Sequence, residues 1–253
     1  MSTAILTIGN EILTGHILDT NSHWLSQRLF FLGEELKNLI VTADDEKEVI
    51  RWVGEFTGSV DFLFVCGGLG STPDDITMAA VSKATGKDLV VSKKALKHME
   101  VLSDYLLERG FIKAKMEVND AILKMATVIK GGKVLENKAG FCPGLTLRHK
   151  GSRIFILPGV PQELKTIFTS EIEGIYIKPH NKRFIDEIVL SQVEARIAHL
   201  LQKLNEDFPG VSVGSYPTYG AKTLVIRAMG NDEKAVKRVL TEIKEYSDSL
   251  PEL

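Results

Sequence analysis

Three glycines within four residues, followed by two adjacent carboxylates, form the stretch of this 253-residue chain best suited to chemistry: Val65-Cys66-Gly67-Gly68-Leu69-Gly70-Ser71-Thr72-Pro73-Asp74-Asp75-Ile76-Thr77. The apolar run Phe62–Cys66 feeds it and a helical pattern from Asp75 to Ala84 leaves it. A strand, a glycine-rich turn and a helix start make a place where backbone N–H groups converge on an anion. Asp74 and Asp75 would repel a bare phosphate. They would not repel a phosphate carrying a divalent metal, because hard cations take carboxylate and phosphate oxygens together. The residue types therefore point to a metal-assisted phosphate or pyrophosphate site, with Mg²⁺ or a similar ion on Asp74 and Asp75. The same aspartates are also favoured helix caps, and a cap does not exclude a ligand role.

Three further turns can join that site. Gly9–Gly15 follows an apolar run from Ala4 to Ile8, Val41–Asp45 follows Leu36–Val41, and Pro158–Glu163 follows Ile154–Leu157. In an open α/β sheet, ligands sit beyond the carboxyl ends of the strands. If the four turns share one edge, they bring together Glu11, Asp44, Asp74, Asp75 and Glu163 over a glycine backbone, and a cluster of carboxylates again calls for cations. Each residue has a plainer reading: Glu11 as a solvated loop residue, Asp44 and Asp45 as helix caps, Pro158-Gly159-Val160-Pro161 as a rigid turn. His16 and His23 are isolated, and no Ser–His pair stands out. No Gly-Lys-Ser/Thr follows the glycines, which excludes a P-loop, and the full Rossmann glycine spacing is missing.

The elements that must position these residues alternate. Helices are expected at Thr20–Leu32, stopped by Gly33, after Asp44-Asp45, and from Ser92 to about Gly110, with a shorter one over Glu117–Met125. Leu145–Arg148 and Ile154–Leu157 read as a hairpin, and Gln162–Ile172 as a closing helix. Alternation at this spacing predicts a mostly parallel, mixed sheet covered on both faces. Pro179, His180 and Asn181 mark a boundary, beyond which strands and helices follow as β-α-β-β-α with a turn at Pro217–Gly220. The expected organisation is a larger α/β domain over 1–175 and a small α+β domain over 180–253. Hydrophobic residues at 44% suffice for full cores, and a net charge of −2 with scattered Lys and Arg gives no reason to expect nucleic acid or an acidic membrane surface. No apolar stretch approaches the ~20 residues that span a bilayer. The start of the chain has no basic signal region, so the expected setting is the cytoplasm, with Cys66 as a reduced core thiol.

Taken together, Thr7-Ile8-Gly9-Asn10-Glu11-Ile12-Leu13-Thr14-Gly15 with Asp19-Thr20-Asn21, Gly67–Thr77, and Leu157-Pro158-Gly159-Val160-Pro161-Gln162-Glu163 resemble three ordered signatures of the CinA (competence/damage-inducible protein A) family. Asn10 stands where that family usually has Asp, and Ser71 where it has Pro. The resemblance implies a three-layer α/β/α molybdopterin-binding-like domain related to MogA, MoaB and gephyrin-type domains, often a homo-oligomer (dimer or trimer), followed by a KH-type domain. The family's amidase domain has no matching residues, so no deamidase activity is expected. The activity the resemblance implies is metal-dependent hydrolysis of a nucleoside diphosphate sugar, ADP-ribose first, to AMP and ribose 5-phosphate. Asp74, Asp75 and Glu11 would be catalytic. Gly67, Gly68, Gly70, Ser71, Thr72, Asn21, Asp44, Pro158, Gly159 and Glu163 would hold the nucleotide or pterin ligand. The alternatives are molybdopterin binding with nucleotidyl transfer or metal insertion, in molybdenum cofactor biosynthesis, and a non-catalytic nucleotide-binding regulator.

Overall fold

The computed structural model describes residues 1–218 and 223–251. The chain forms two compact units, one from Met1–Phe30 and Glu34–Lys178, the other from Phe31–Gly33 and the chain from Pro179 onward.

The first unit runs β1 (Ser2–Ile8), α1 (Asn10–Leu13), α2 (Thr20–Phe31), β2 (Glu35–Thr42), α3 (Glu46–Phe56), β3 (Phe62–Cys66), α4 (Thr77–Thr85), β4 (Leu89–Val91), α5 (Lys93–Glu108), α6 (Asp120–Ala126), β5 (Thr127–Ile129), β6 (Lys133–Leu135), β7 (Gly144–His149), β8 (Ser152–Leu157) and α7 (Pro161–Ile167). The main sheet has the order β2-β1-β3-β8-β7-β6. Its first four strands are parallel, and β7 and β6 are antiparallel additions.

Continuous burial explains the central strands. Every residue of Phe62–Cys66 is buried, as expected for a parallel strand covered on both faces. Alternate residues face opposite layers. Ala4, Leu6, Leu63, Val65, Ile154 and Ile156 share a core with Val49, Val53 and Phe56 of α3 and Ala80 and Val81 of α4. On the other face, Phe64 stacks on Phe155 at 4.9 Å, and Phe168 lies 5.8 Å from Phe64 and meets Trp24 of α2 edge-on at 5.4 Å. The result is the expected three-layer α/β/α arrangement. Asp45 caps α3 by accepting from the amides of Lys47 and Glu48. Lys150 and Gly151, both at positive φ (46° and 89°), close the β7–β8 hairpin in two residues.

The structure departs from the sequence reading in a few places. Asn10–Leu13 is a helical turn rather than open loop. The helix after the glycine turn begins at Thr77, with Ile76 at its N-cap position and no side-chain cap, so neither Asp74 nor Asp75 caps it. α7 ends at Ile167 and passes into a π-helical turn, Phe168–Ile172. Strands β4, β5 and β6, three residues each, show no readable period at that length; β4 and β5 pair as a separate antiparallel ribbon.

The second unit is β9 (Phe184–Leu190), α8 (Glu194–Asp207), β10 (Val211–Thr218), β11 (Thr223–Gly230) and α9 (Glu233–Ser249), with an antiparallel sheet in the order β10-β11-β9. Ile197, Leu201 and Leu204 of α8 and Val236, Val239, Leu240 and Ile243 of α9 cover Leu190, Leu224, Ile226 and Ala228. In the expected turn, Pro217 and Thr218 instead extend β10, and Tyr219 and Gly220 lie outside the described residues. Among the described residues no helix is long and apolar enough to cross a membrane.

The aromatic layer yields a stability prediction. Phe155 is fully buried and touches Phe62, Phe64 and Tyr176. Phe155→Ala should cost about 3–5 kcal/mol in urea unfolding, and Phe155→Leu clearly less. A loss below about 1 kcal/mol for the alanine variant would remove this layer from the centre of the core.

Candidate functional site

Because β2, β1, β3 and β8 run parallel, the loops that follow them leave the sheet along one edge. The chain passes from β1 out to β2 on one side and then returns to β3 on the other. That reversal opens a crevice beyond the carboxyl ends of β1 and β3. A cleft of about 470 Å³ lies there, lined by Gly9, Glu11, Asn21 and Asp44 from the first two loops, and by Gly67, Gly68, Asp74, Asp75 and Gly159 from the others.

The glycine turn is built by close approach. Gly67 and Gly68 stand at φ +100° and +63°. A Cβ on Gly67 would run into the carbonyl oxygen of Ile8, and one on Gly68 into the hydroxyl of Thr77. Fully buried Thr77 donates its hydroxyl to the Gly67 carbonyl at 2.8 Å and its amide to the Gly68 carbonyl at 3.2 Å. The Gly67 amide donates to Leu157 O at 3.0 Å, tying the ends of β3 and β8 together. The amides of Gly68, Leu69, Gly70 and Ser71 are paired with no acceptor among the described residues.

The carboxylates divide by use. Asp75 Oδ2 accepts from the amide of Thr72 at 2.8 Å and from its hydroxyl at 2.7 Å, closing the turn. Asp44 Oδ2 accepts from the Asn10 amide at 2.8 Å, so it serves the first turn of α1. Asp74 is exposed at the cleft, and the Glu11 carboxylate folds back over Gly9. Lys124 Nζ donates to the carbonyl of Thr72, a basic contact that sequence reading missed because Lys124 lies 47 residues beyond Thr77. Among the described residues no three His, Cys, Asp or Glu side chains converge to hold a metal ion. Asp74 and Asp75 do not form a preformed metal centre: Asp75 folds back onto Thr72, and hydrogen bonds from the same Thr72 and from its own backbone, with Lys124 nearby, hold the exposed Asp74 carboxyl below its ordinary pKa.

Other expected site residues stand elsewhere. Gly70 lines a smaller cleft of about 130 Å³ that shares Gly68 and Asp75 with the first. Ser71 and Thr72 are exposed on the turn without lining the larger cleft, and Pro158 is buried behind it. Glu163 faces away: its Oε2 accepts from Asn137 Nδ2 at 2.9 Å, and its carboxylate packs on Gly140. Burial raises the Glu163 pKa, partly offset by that hydrogen bond and by His98. Fully buried Asn137 also donates to Cys142 O at 2.8 Å, and the Cys142 thiol donates to Leu69 O at 3.1 Å. Burial pushes that thiol up to about 12 and raises Cys66 as well. Both cysteines are free thiols.

Residues 17–21 and 159–161 also line the cleft, with Gly159 close against Gly67. Asn21 Nδ2 donates to Gly159 O at 2.7 Å, joining α2 to the loop after β8. Asp19, Ile17 and Leu18 also line the cleft and were not among the expected contacts. Asp19 caps α2 by accepting from the Ser22 amide at 2.9 Å, which a Thr/Asn-rich helix start could have signalled. Cleft size fits a pterin or nucleotide, since small-molecule pockets run to about 300–1,000 Å³. Of the unpaired amides on the turn, that of Gly68 belongs to a residue lining this cleft, and Gly68, Leu69 and Gly70 line the smaller one beside it.

Comparison with known proteins agrees with the fold. Residues 4–176 match the model described as a probable molybdopterin binding domain. Residues 182–250, expected as a KH-type domain, match instead the middle domain of FAD synthase. Protein TK1472 of Thermococcus kodakarensis is 32% identical over 98% of this chain and 97% of its own length. Protein PF0476 of Pyrococcus furiosus is 32% identical over 96% of each. The crystal structure of the protein CinA from Thermoplasma acidophilum, of unknown function, is 29% identical, covers 67% of this chain and 96% of its own, and superposes with a TM-score of 0.59. The cleft lies within residues 4–176, and the chain belongs to the probable molybdopterin binding domain family.

Proposed function

We propose that the cleft binds a phosphorylated pterin of the molybdopterin class and that the chain acts at the phosphate end of that ligand, by nucleotidyl transfer or in support of metal insertion, in molybdenum cofactor biosynthesis. One observation carries the reading: the amides of Gly68–Ser71 have no acceptor among the described residues, on a turn held by Thr77 and Asp75. Converging amides on such a turn are a natural partner for phosphate oxygens. Membership of the molybdopterin-binding family supports a pterin at the other end of the ligand. Gly67 and Gly70 give the turn its shape, Ser71 and Thr72 would edge the phosphate position, and Gly159, close against Gly67 and bonded to Asn21, lines the same cleft.

A second reading, cleavage of a nucleoside diphosphate sugar such as ADP-ribose, has a specific observation in its favour: Glu11 and Asp74 both line the same cleft. The two readings differ in what they ask of Asp74. For binding alone it is a like charge beside phosphate; for cleavage it is needed.

Three outcomes are expected. A fluorescent pterin monophosphate should titrate the protein saturably and be displaced by inorganic pyrophosphate; no saturation up to millimolar concentration would sink the proposal. Asp75→Ala, which removes two charge-assisted hydrogen bonds, should lower stability by about 2 kcal/mol and weaken phosphate binding at least about tenfold. Asp74→Asn should tighten phosphate binding by up to about fivefold, the effect of removing a like charge at contact distance in water. If the wild-type protein instead releases AMP from ADP-ribose with a divalent ion, and Asp74→Asn abolishes that release, the second reading replaces the first.

A further inference from the structure

The sheet of the second unit has two unlike faces. Along β9, β10 and β11 successive residues point to opposite sides. Leu190, Leu224, Ile226 and Ala228 point into the core under α8 and α9. The residues between them make the other face. There Ile185 lies beside Met229, Glu187 beside Arg227 and Val189 beside Val225, with Gly214 and Tyr216 across β11 from Arg227 and Val225. An antiparallel sheet with one face in water normally turns polar residues outward. Here Val189 is 64% exposed, Tyr216 48% and Ile185 39%, so apolar surface surrounds one ion pair in solvent.

That ion pair is half used. Arg227 Nε and Nη2 both donate to Glu187 Oε2, at 3.2 and 3.0 Å, which leaves Glu187 Oε1 and Arg227 Nη1 without a hydrogen bond among the described residues. The guanidinium also lies 5.3 Å from the centre of the Tyr216 ring. Tyr216 leans back over Gly214, where a Cβ would come within 2.9 Å of its hydroxyl. Its ring therefore lies along the strand instead of standing off the sheet, and the face stays low enough to meet another flat surface.

We propose that this face packs on the same face of a second copy of the chain, about a two-fold axis that runs along the strands between β9 and β11. A two-fold interface must be its own complement. About this axis each cross-strand pair is: Val189 of one copy meets Val225 of the other, Ile185 meets Met229, and Glu187 meets Arg227 twice. The unused Oε1 and Nη1 then complete a ring of four alternating charges, the condition under which desolvated charges are tolerated. Aligned sheets cross at only about 30°, which keeps the central row and its two neighbours over their counterparts. Charge rejects the other placements. An axis along β11 sets Arg227 on Arg227, an axis along β9 sets Glu187 on Glu187, and an axis across the strands at this row does both. A different protein would have to supply the same alternation of charges and apolar residues that the chain already carries. The surface uses no residue that lines the cleft.

Sedimentation equilibrium of the full chain tests this. The wild-type protein should reach twice the mass of one chain by about 0.1 mM. Glu187→Arg makes the central row wholly positive and Arg227→Glu makes it wholly negative, so each variant alone should dimerise at least about a hundredfold more weakly. Mixed in equal amounts, the two variants should associate as heterodimers, because every contact across the axis is again between opposite charges. Loss of fold in either variant cannot produce that recovery. Val189→Lys, at an exposed position beside the ion pair, should weaken the wild-type dimer by at least about tenfold. A wild-type protein that stays monomeric to about 0.1 mM leaves the face to water or to another protein and overturns the proposal. So does a mass that Glu187→Arg, Arg227→Glu and Val189→Lys all leave unchanged, or a mixture in which the two charge variants, folded by circular dichroism, stay apart.

Discussion

At the end of β3 the backbone passes so close to the Ile8 carbonyl that no side chain can stand at position 67. This close approach organises the rest of the site. It brings the loop after β3 against the end of β1, at the point where the strand order reverses. It also forces two successive left-handed residues, which glycine accepts without the steric cost any other residue would bear. The turn that follows is then fastened from both ends, by Thr77 on its helix side and by Asp75 onto Thr72 at its tip. Nothing in this fastening needs a ligand. The cradle is a property of the folded chain.

Electrostatics around the cradle is less hostile to phosphate than a count of acidic residues suggests. Asp44 and Asp75 each accept hydrogen bonds from backbone amides, which spreads their charge into the local structure. Lys124 is held at the turn through the Thr72 carbonyl. Glu11 and Asp74 remain as carboxylates on the cleft wall. Pairing within the turn occupies one oxygen of the second aspartate of the Asp-Asp pair.

Much of the fold was legible because burial writes itself into runs and periods. The five consecutive apolar residues of β3, the Ser92 cap, Gly86 at φ +64° after α4 and the β-α-β-β-α order of the second unit all follow from local chemistry. Four turns on one cleft were also legible, since parallel strands leave no other place for the loops after them. What stayed hidden has one cause. Asp75, Glu163 and Asp44 are read from sequence by residue type, but their hydrogen bonds depend on which donor lies nearest in three dimensions: Thr72 three residues back, Asn137 twenty-six residues back, Asn10 thirty-four residues back. Charge is visible in a sequence and partners are not.

The Cys142 thiol has a consequence for which sequences this architecture tolerates. Its hydrogen bond to the Leu69 carbonyl links the loop held by Asn137 to the middle of the glycine turn, across 73 residues of chain. Position 142 thus contributes a donor, not reactivity. A serine would preserve the link at similar size, whereas alanine or valine would cut the turn loose from the segment beside it. What looks like one of two stray cysteines is a structural tie: what position 142 asks of any replacement is the capacity to donate a hydrogen bond to Leu69 O.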